Sequence, residues 1–235
     1  MRGENFMDKS FAPPHSTLKG NSEIFSGIYA NNIWGKPSDP SEKFYSGSGS
    51  HDEKIIVPYI NTLISLLTNN NIRNIVDLGC GDFWIMRHVL EAFFNAGYNF
   101  FYTGIDVVED LINYNANRFK HPNVRFICRD AAADDEPLPD GEILIIRQVL
   151  QHLSNADIKK ILGKASKFKF LFITEHIYDS TDAVYNIDRN ANEGIRLGYK
   201  SGIYLEHAPF GLKNIVHLLK VPEYGGIIRS SLIIN

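Results

Sequence analysis

The stretch Asn74-Ile75-Val76-Asp77-Leu78-Gly79-Cys80-Gly81-Asp82 places an apolar, β-prone run directly before two glycines flanked by carboxylates. A strand that runs through a glycine turn into a helix is the opening unit of an open α/β sheet, in which ligands sit beyond the carboxyl ends of the strands. Glycine at positions 79 and 81 lets the backbone bend sharply and lets a ligand approach the amides with no Cβ in the way. The stretch therefore predicts a ligand-binding turn.

The sequence keeps that rhythm on both sides. Ahead of the turn, Ile55, Ile56, Tyr59, Ile60, Leu63, Ile64 and Leu67 recur at helical spacing. They predict a buried helix that starts near Val57, or kinks at Pro58, and stops at Asn69-Asn70-Asn71. From there the pattern predicts strands at 74–78, 101–107, 124–128, 142–147 and 169–174, with helices at 83–95, 109–119 and 155–165. Such alternation gives a parallel sheet covered by helices on both faces. A polar stretch reaches to about Tyr199, and apolar runs at 214–219 and 226–234, joined through 222–225, read as a terminal antiparallel hairpin. The expected class is α/β: a doubly wound, seven-stranded Rossmann-like sheet, mostly parallel, ending in that hairpin. Residues 1–50, rich in Ser, Asn, Gly and Pro, read as an extension that serves as a lid or a dimer arm, with a homodimer as one expectation. Residues 51–235 read as one domain.

A chain of 235 residues with 44% hydrophobic content can bury one substantial core, and its net charge of −3 offers no broad positive surface for nucleic acid. The first eleven residues lack the unbroken apolar core of a signal peptide, and no apolar run approaches the ~18 residues of a membrane span. A cytoplasmic protein without a membrane span is expected. Cys80 and Cys128, both in apolar surroundings, read as two buried, reduced thiols.

The turn also discriminates between ligands. A dinucleotide fingerprint needs a third glycine where this chain has Trp84. Asp77 and Asp82 repel a phosphate at the helix start. A ligand with a sulfonium and an ammonium group suits them better, which favours S-adenosyl-methionine (SAM) over NAD.

VDLGCGD, GIDVVEDLI and RQVLQHLSNADIKKIL, in that order, resemble the successive motifs of class I SAM-dependent methyltransferases over about residues 72–174. The resemblance implies that Asp77, Gly79 and Gly81, with Asp82 and Trp84 beside them, shape the methionine end of a SAM pocket. It implies that Asp106, next to Val107, takes both ribose hydroxyls, and a carboxylate can accept two charge-assisted hydrogen bonds from a vicinal diol. The structural alternative for Asp106 is to cap the helix that follows. Asp130 and Ala131 resemble the adenine-contact region, and Arg147 and Gln148 border the pocket from the fourth strand. IYANNIWGKPSDPSEKFYSGSGS and GIYLEHAPFGL are similar to segments of small bacterial methyltransferases associated with surface-glycan modification. That likeness implies that Ser48, Gly49 and Ser50 close over the cofactor; a flexible linker is the alternative.

Transfer to a hydroxyl requires alignment and removal of a proton. His152 is the candidate base or acceptor orienter; its alternative is a bond to a helix start or a backbone carbonyl. Arg147 is placed against an acceptor oxyanion, or against Asp77 or Asp130. Glu175, His176, Arg196, Tyr204, Glu206 and His207 are the candidate acceptor-binding residues, and Trp34, Trp84 and Tyr204 the candidate stacking surfaces. The segment IRQVLQHL lacks the Asn/Asp-Pro-Pro-aromatic tetrad of amino-directed nucleic-acid methylases. The acidic run 134–136, followed by Pro137 and Pro139, reads as a solvated turn, so no metal is expected. The sequence is thus read as a SAM-dependent O-methyltransferase, releasing S-adenosyl-homocysteine, for a small-molecule or glycan-linked hydroxyl or oxyanion. A SAM-binding regulatory or partner subunit without turnover, and a protein or RNA methyltransferase, are the alternatives.

Overall fold

A computed structural model describes residues 20–133 and 135–235; the acidic residue at 134 and the start of the expected extension lie outside it. The seven-stranded sheet runs β3 (Val124–Cys128), β2 (Phe101–Asp106), β1 (Asn74–Leu78), β4 (Ile143–Arg147), β5 (Phe170–Ile177), β9 (Gly226–Ile234), β8 (Ile215–Glu223). The first five of these strands pair in parallel, whereas β9 is antiparallel to both β5 and β8. The expected sheet and terminal hairpin are present. Chain order reverses between β1 and β4, which opens a crevice at their carboxyl ends.

Because side chains alternate along a strand, each strand feeds two cores. Ile75, Ile143, Ile145, Phe170 and Phe172 face α2 (Glu53–Asn69) and α3 (Trp84–Asn95). Val76, Leu144, Ile146, Leu171 and Ile173 join the opposite core, with α4 (Glu109–Arg118) and α5 (Asn155–Ala165). Asp77 and Arg147 share parity with Ile75 and Ile145, so they face the α2 side at the crevice.

Several boundaries differ from the sequence reading. Helix α2 starts at Glu53, because the Asp52 side chain accepts from the Lys54 N–H and caps it. Pro58 is accommodated inside, where its missing N–H affects only the exposed end of the helix. Strand β5 continues to Ile177, held by its ladder to β9, and Pro222 lies inside β8 opposite Ile227, not in the turn. An unanticipated helix, α1 (Asn21–Ala30), inserts Phe25 and Ile28 into the α4–α5 core. Within the polar stretch, β6 (Val184–Tyr185) and β7 (Ser201–Gly202) pair as a small parallel ribbon. Cys80 is buried as expected, but Cys128 is exposed on the outermost parallel strand, and both are free thiols. Among the described residues no helix is long and apolar enough to cross a membrane.

Candidate functional site

A cavity of about 410 Å³ lies over the carboxyl ends of β1, β2, β4 and β5, roofed by the segment that contains α1 and residues 46–50. Its floor is the glycine turn. The amides of Gly79 and Cys80 both donate to the Ile105 carbonyl, at 2.8 and 3.0 Å, which locks the turn onto β2. Gly79 has φ +75°, and a Cβ there would approach Val149 Cγ2 to 2.2 Å. Gly81 has φ +54°, and a Cβ there would meet Ser46 Oγ at 2.6 Å. Both positions need glycine for their backbone and for their neighbours.

Three carboxylates surround this turn. Asp106 accepts from the Gly81 amide at 3.0 Å and from the Val108 amide at 3.1 Å. Burial pushes its pKa above the ordinary range, against the pull of these amides. Asp77 accepts from the Tyr102 hydroxyl at 2.7 Å, and burial pushes its pKa up to about 7. Asp82 accepts from the Trp84 amide at 3.2 Å and from the Ser46 amide at 2.7 Å, and pairs with His51 Nε2 at 2.7 Å. The Asp82 amide in turn donates to Ser46 Oγ at 3.0 Å, so Asp82 ties the roof to the floor.

At one end of the cavity, Val107, Asp130 and Ala131 lie beside Phe25, Trp34 and His152. Asp130 accepts from the amides of Ala132 and Ala133 at 2.9 and 3.2 Å, which fixes the turn after β3. The Trp34 and His152 rings are 5.1 Å apart. His152 is fully committed: Nδ1 meets the Gly194 carbonyl at 2.9 Å and Nε2 the Gln151 amide nitrogen at 3.2 Å. Burial lowers its pKa to about 4, so the ring is neutral at physiological pH. This geometry favours an orienting role over that of a base.

Arg147 pairs with neither Asp77 nor Asp130. Its guanidinium donates to the Gly49 carbonyl at 2.5 Å, to Ser50 Oγ at 3.1 Å and to Gln148 Oε1 at 2.9 Å, holding the one-turn helix Ser48–Ser50 against the cavity. Gln148 packs so closely under Gly49 that a Cβ there would meet its Oε1 at 2.6 Å. Trp84 lines the cavity, stacks on His51 at 4.9 Å and leaves its buried Nε1 without a partner.

Of the six expected acceptor-binding residues, only His176 lines this cavity. Glu175 points to the other face of β5, where its carboxylate accepts from the Leu150 and Gln151 amides at 2.9 and 3.0 Å. Burial raises its pKa to about 8. Arg196 is fully buried and spends its donors on the carbonyls of Ile187, Gln151 and Leu153, at 2.8, 2.8 and 2.7 Å, and on Asn155. Tyr204 donates to the Tyr178 carbonyl, Glu206 pairs with Arg229 at 3.0 Å, and His207 stacks on Tyr185 at 3.7 Å. These five residues build the loop scaffold, because their hydrogen-bonding and stacking capacity is met inside it.

The sequence reading missed Tyr29, Ser46, Tyr59 and Phe25, all of which line the cavity. The spacing of Phe25, Ile28 and Tyr29, at i, i+3 and i+4, is a helical signal within the expected extension.

Residues 75–168 match a family model described as a methyltransferase domain, which spans β1 through α5. No curated protein matches the chain. Among solved structures it is similar to the N-methyltransferase NodS from Bradyrhizobium japonicum WM9 in complex with S-adenosyl-L-homocysteine, with a TM-score of 0.55, 11% identity, and coverage of 84% of this chain and 93% of that one. It is also similar to magnesium protoporphyrin IX methyltransferase (ChlM) from Synechocystis PCC 6803 with bound SAM, at TM-score 0.53 and 11% identity, covering 94% and 99%. The methyltransferase domain of bacterial CtHen1-C gives TM-score 0.52 at 12% identity, covering 74% and 95%. At these identities the likeness shows the fold, a Rossmann-like methyltransferase fold.

Proposed function

We propose that this protein transfers a methyl group from SAM to an oxygen, a hydroxyl or oxyanion, of a small-molecule or glycan-linked acceptor. The observation that carries the cofactor is the glycine turn: three carboxylates line the cavity around it, Asp77, Asp82 and Asp106. An anionic dinucleotide would be repelled there, whereas a ligand carrying an ammonium and a sulfonium is held. The matched methyltransferase-domain model and the SAM- and S-adenosyl-homocysteine-bound structures of the same fold support the choice.

The residues fit such a cofactor. Gly79 and Gly81 leave room that a Cβ would fill, Asp106 keeps acceptor capacity beyond its two amide bonds, and Asp130 stands at the end of the cavity walled by Phe25 and Trp34. In this reading Asp77 and Asp82 hold the amino-acid end, Asp106 the ribose with Val107 beside it, and Asp130 with Ala131 the adenine. When bound, SAM supplies an electrophilic methyl carbon. The chain aligns the acceptor, keeps water out under the 46–50 roof, and receives the proton of a hydroxyl acceptor. Residues 20–50 act as the lid, tied down through Asp82 and Arg147.

Incubation with methyl-labelled SAM and a panel of phenols, alcohols, carboxylic acids and oligosaccharides tests the reading. Label is expected in a base-stable ether or a base-labile ester of one acceptor. SAM binding with no transfer to any member would instead support a cofactor-binding subunit without turnover.

A further inference from the structure

Beyond the glycine turn, the cavity continues into a lobe under the amino-terminal half of α2, where Tyr59, Arg147, His176, Glu223 and Ile228 line it. The sheet register builds this lobe. Arg147 pairs with Thr174, and His176, two residues further along β5, faces the same side beside Ile228 of β9. Tyr59 closes it from above, its ring stacked 5.6 Å from Phe172 and 4.9 Å from the Arg147 guanidinium carbon.

The lobe is distinctive in what it leaves unused. His176, only 7% exposed, has no partner for Nε2, and Arg147 has none for Nε. The Tyr59 hydroxyl lies beside Thr174, whose own hydroxyl is engaged with Ser230 at 2.8 Å, and it too lacks a partner of normal geometry. Buried polar groups are normally paired, so three unpaired ones lining a single lobe mark a place that a ligand's polar group completes. Burial lowers the pKa of His176, against the pull of Glu223 and of the Tyr224 backbone, so the ring is held neutral. A neutral imidazole carries one lone-pair nitrogen, and the unpartnered Nε2 is the one left to offer it to a ligand. Asp77 and Glu223 also border the lobe, and the charge of Arg147 is offset by the carboxylates around it, Asp77 first among them. A permanently anionic group is disfavoured there; a neutral hydroxyl on an apolar body suits a cavity whose lining includes Trp84, Ile145 and Ile228.

We infer that this lobe is the acceptor subsite, that it takes a neutral hydroxyl carried on an apolar, aromatic body, and that His176 Nε2 is the group that receives the hydroxyl proton. The inference rests on the methyl-transfer reading above. In the step it implies, the O–H bond breaks and its proton passes to Nε2 as the acceptor oxygen bonds to the methyl carbon. The carbon–sulfur bond breaks with its electron pair left on sulfur, giving a neutral thioether, and the imidazolium returns the proton to water. Arg147 Nε–H and the Tyr59 hydroxyl are the donors placed to stabilise the oxygen as charge develops on it.

The test uses the full chain, with p-cresol, 4-methylanisole and p-toluate as probes. On protein saturated with S-adenosyl-homocysteine, p-cresol is expected to bind at least tenfold more tightly than its ether or the carboxylate. His176→Phe and His176→Gln are expected to lower turnover of p-cresol a hundredfold or more while leaving SAM affinity within twofold. Nitrogen-15 spectra of the imidazoles are expected to show His176 Nε2 unprotonated at neutral pH and shifted by p-cresol. Equal binding of the three probes, tighter binding of p-toluate, a protonated Nε2, or turnover retained in the folded variants would each overturn the inference while SAM binding stands. Loss of SAM binding in the wild-type protein would instead overturn the functional reading beneath it.

Discussion

His152 and His176 stand at the ends of neighbouring strands, and their surroundings differ in kind. After β4, His152 has both ring nitrogens bonded, Glu175 holds the backbone of the one-turn helix Leu150–His152, and Arg196 collects the carbonyls of the same segment. At the end of β5, His176, Arg147 and Tyr59 each leave a buried polar atom unused. The two regions are bridged by Gln151, whose side chain bonds the His152 ring and the His176 amide. The contrast teaches that saturated polar networks hold shape, and that unsaturated ones lining a cavity are where a ligand is to be sought.

The comparison breaks most visibly if the saturated side is emptied. Arg196→Met strands several buried carbonyls and leaves Glu175 without its nearby cation, so a loss of about 3–5 kcal/mol in denaturant unfolding is expected. A loss below about 1 kcal/mol would show that the Arg196 network is not what holds the loop.

A pH series separates the histidine from its surroundings. The folded pKa of His152, about 4, lies below the ordinary 6.5, so the unfolded chain binds the extra proton between those values. The His152 contribution is fully present above pH 6.5 and is lost as the pH falls through 4. Relative to His152→Phe, the wild-type protein should lose up to about 3 kcal/mol over that window. Asp77 and Glu175, with pKa values raised to about 7 and 8, act in the opposite sense: their contribution is present at low pH and is lost as pH rises through those values. Parallel pH profiles of the two proteins would show that the buried ring titrates normally.

The smaller effects concern the cofactor end. Asp106→Asn should weaken SAM binding by about 1–3 kcal/mol, with the change read by calorimetry on folded protein. Because a cation is held best by ionised Asp77, SAM affinity should rise with pH from 6 to 8, and Asp77→Asn should flatten that rise. A pH-independent affinity would detach Asp77 from the cofactor.

Much of this was legible in the sequence because strand alternation and helical spacing are local. Strands β1 and β3 and helix α5 lie where their patterns place them, and Asp77, Asp106, Asp130, Arg147 and Gln148 line the cavity because strand ends in such a sheet converge on it. Helix α1 was hidden by its polar neighbours, although Phe25, Ile28 and Tyr29 carry the spacing. The residues after β5 were not legible, since loop direction is set by tertiary contacts. Glu175 and His176 show the limit: as neighbours on a strand they must point to opposite faces, but only the covering of those faces decides which one meets the cavity.

The central claim, a cavity built for SAM and not for a dinucleotide, is tested most directly by calorimetric titration of the wild-type protein with SAM, S-adenosyl-homocysteine and NAD. One-to-one binding of SAM and S-adenosyl-homocysteine, with no heat from NAD, is the result expected. Binding of NAD with no binding of SAM would contradict it.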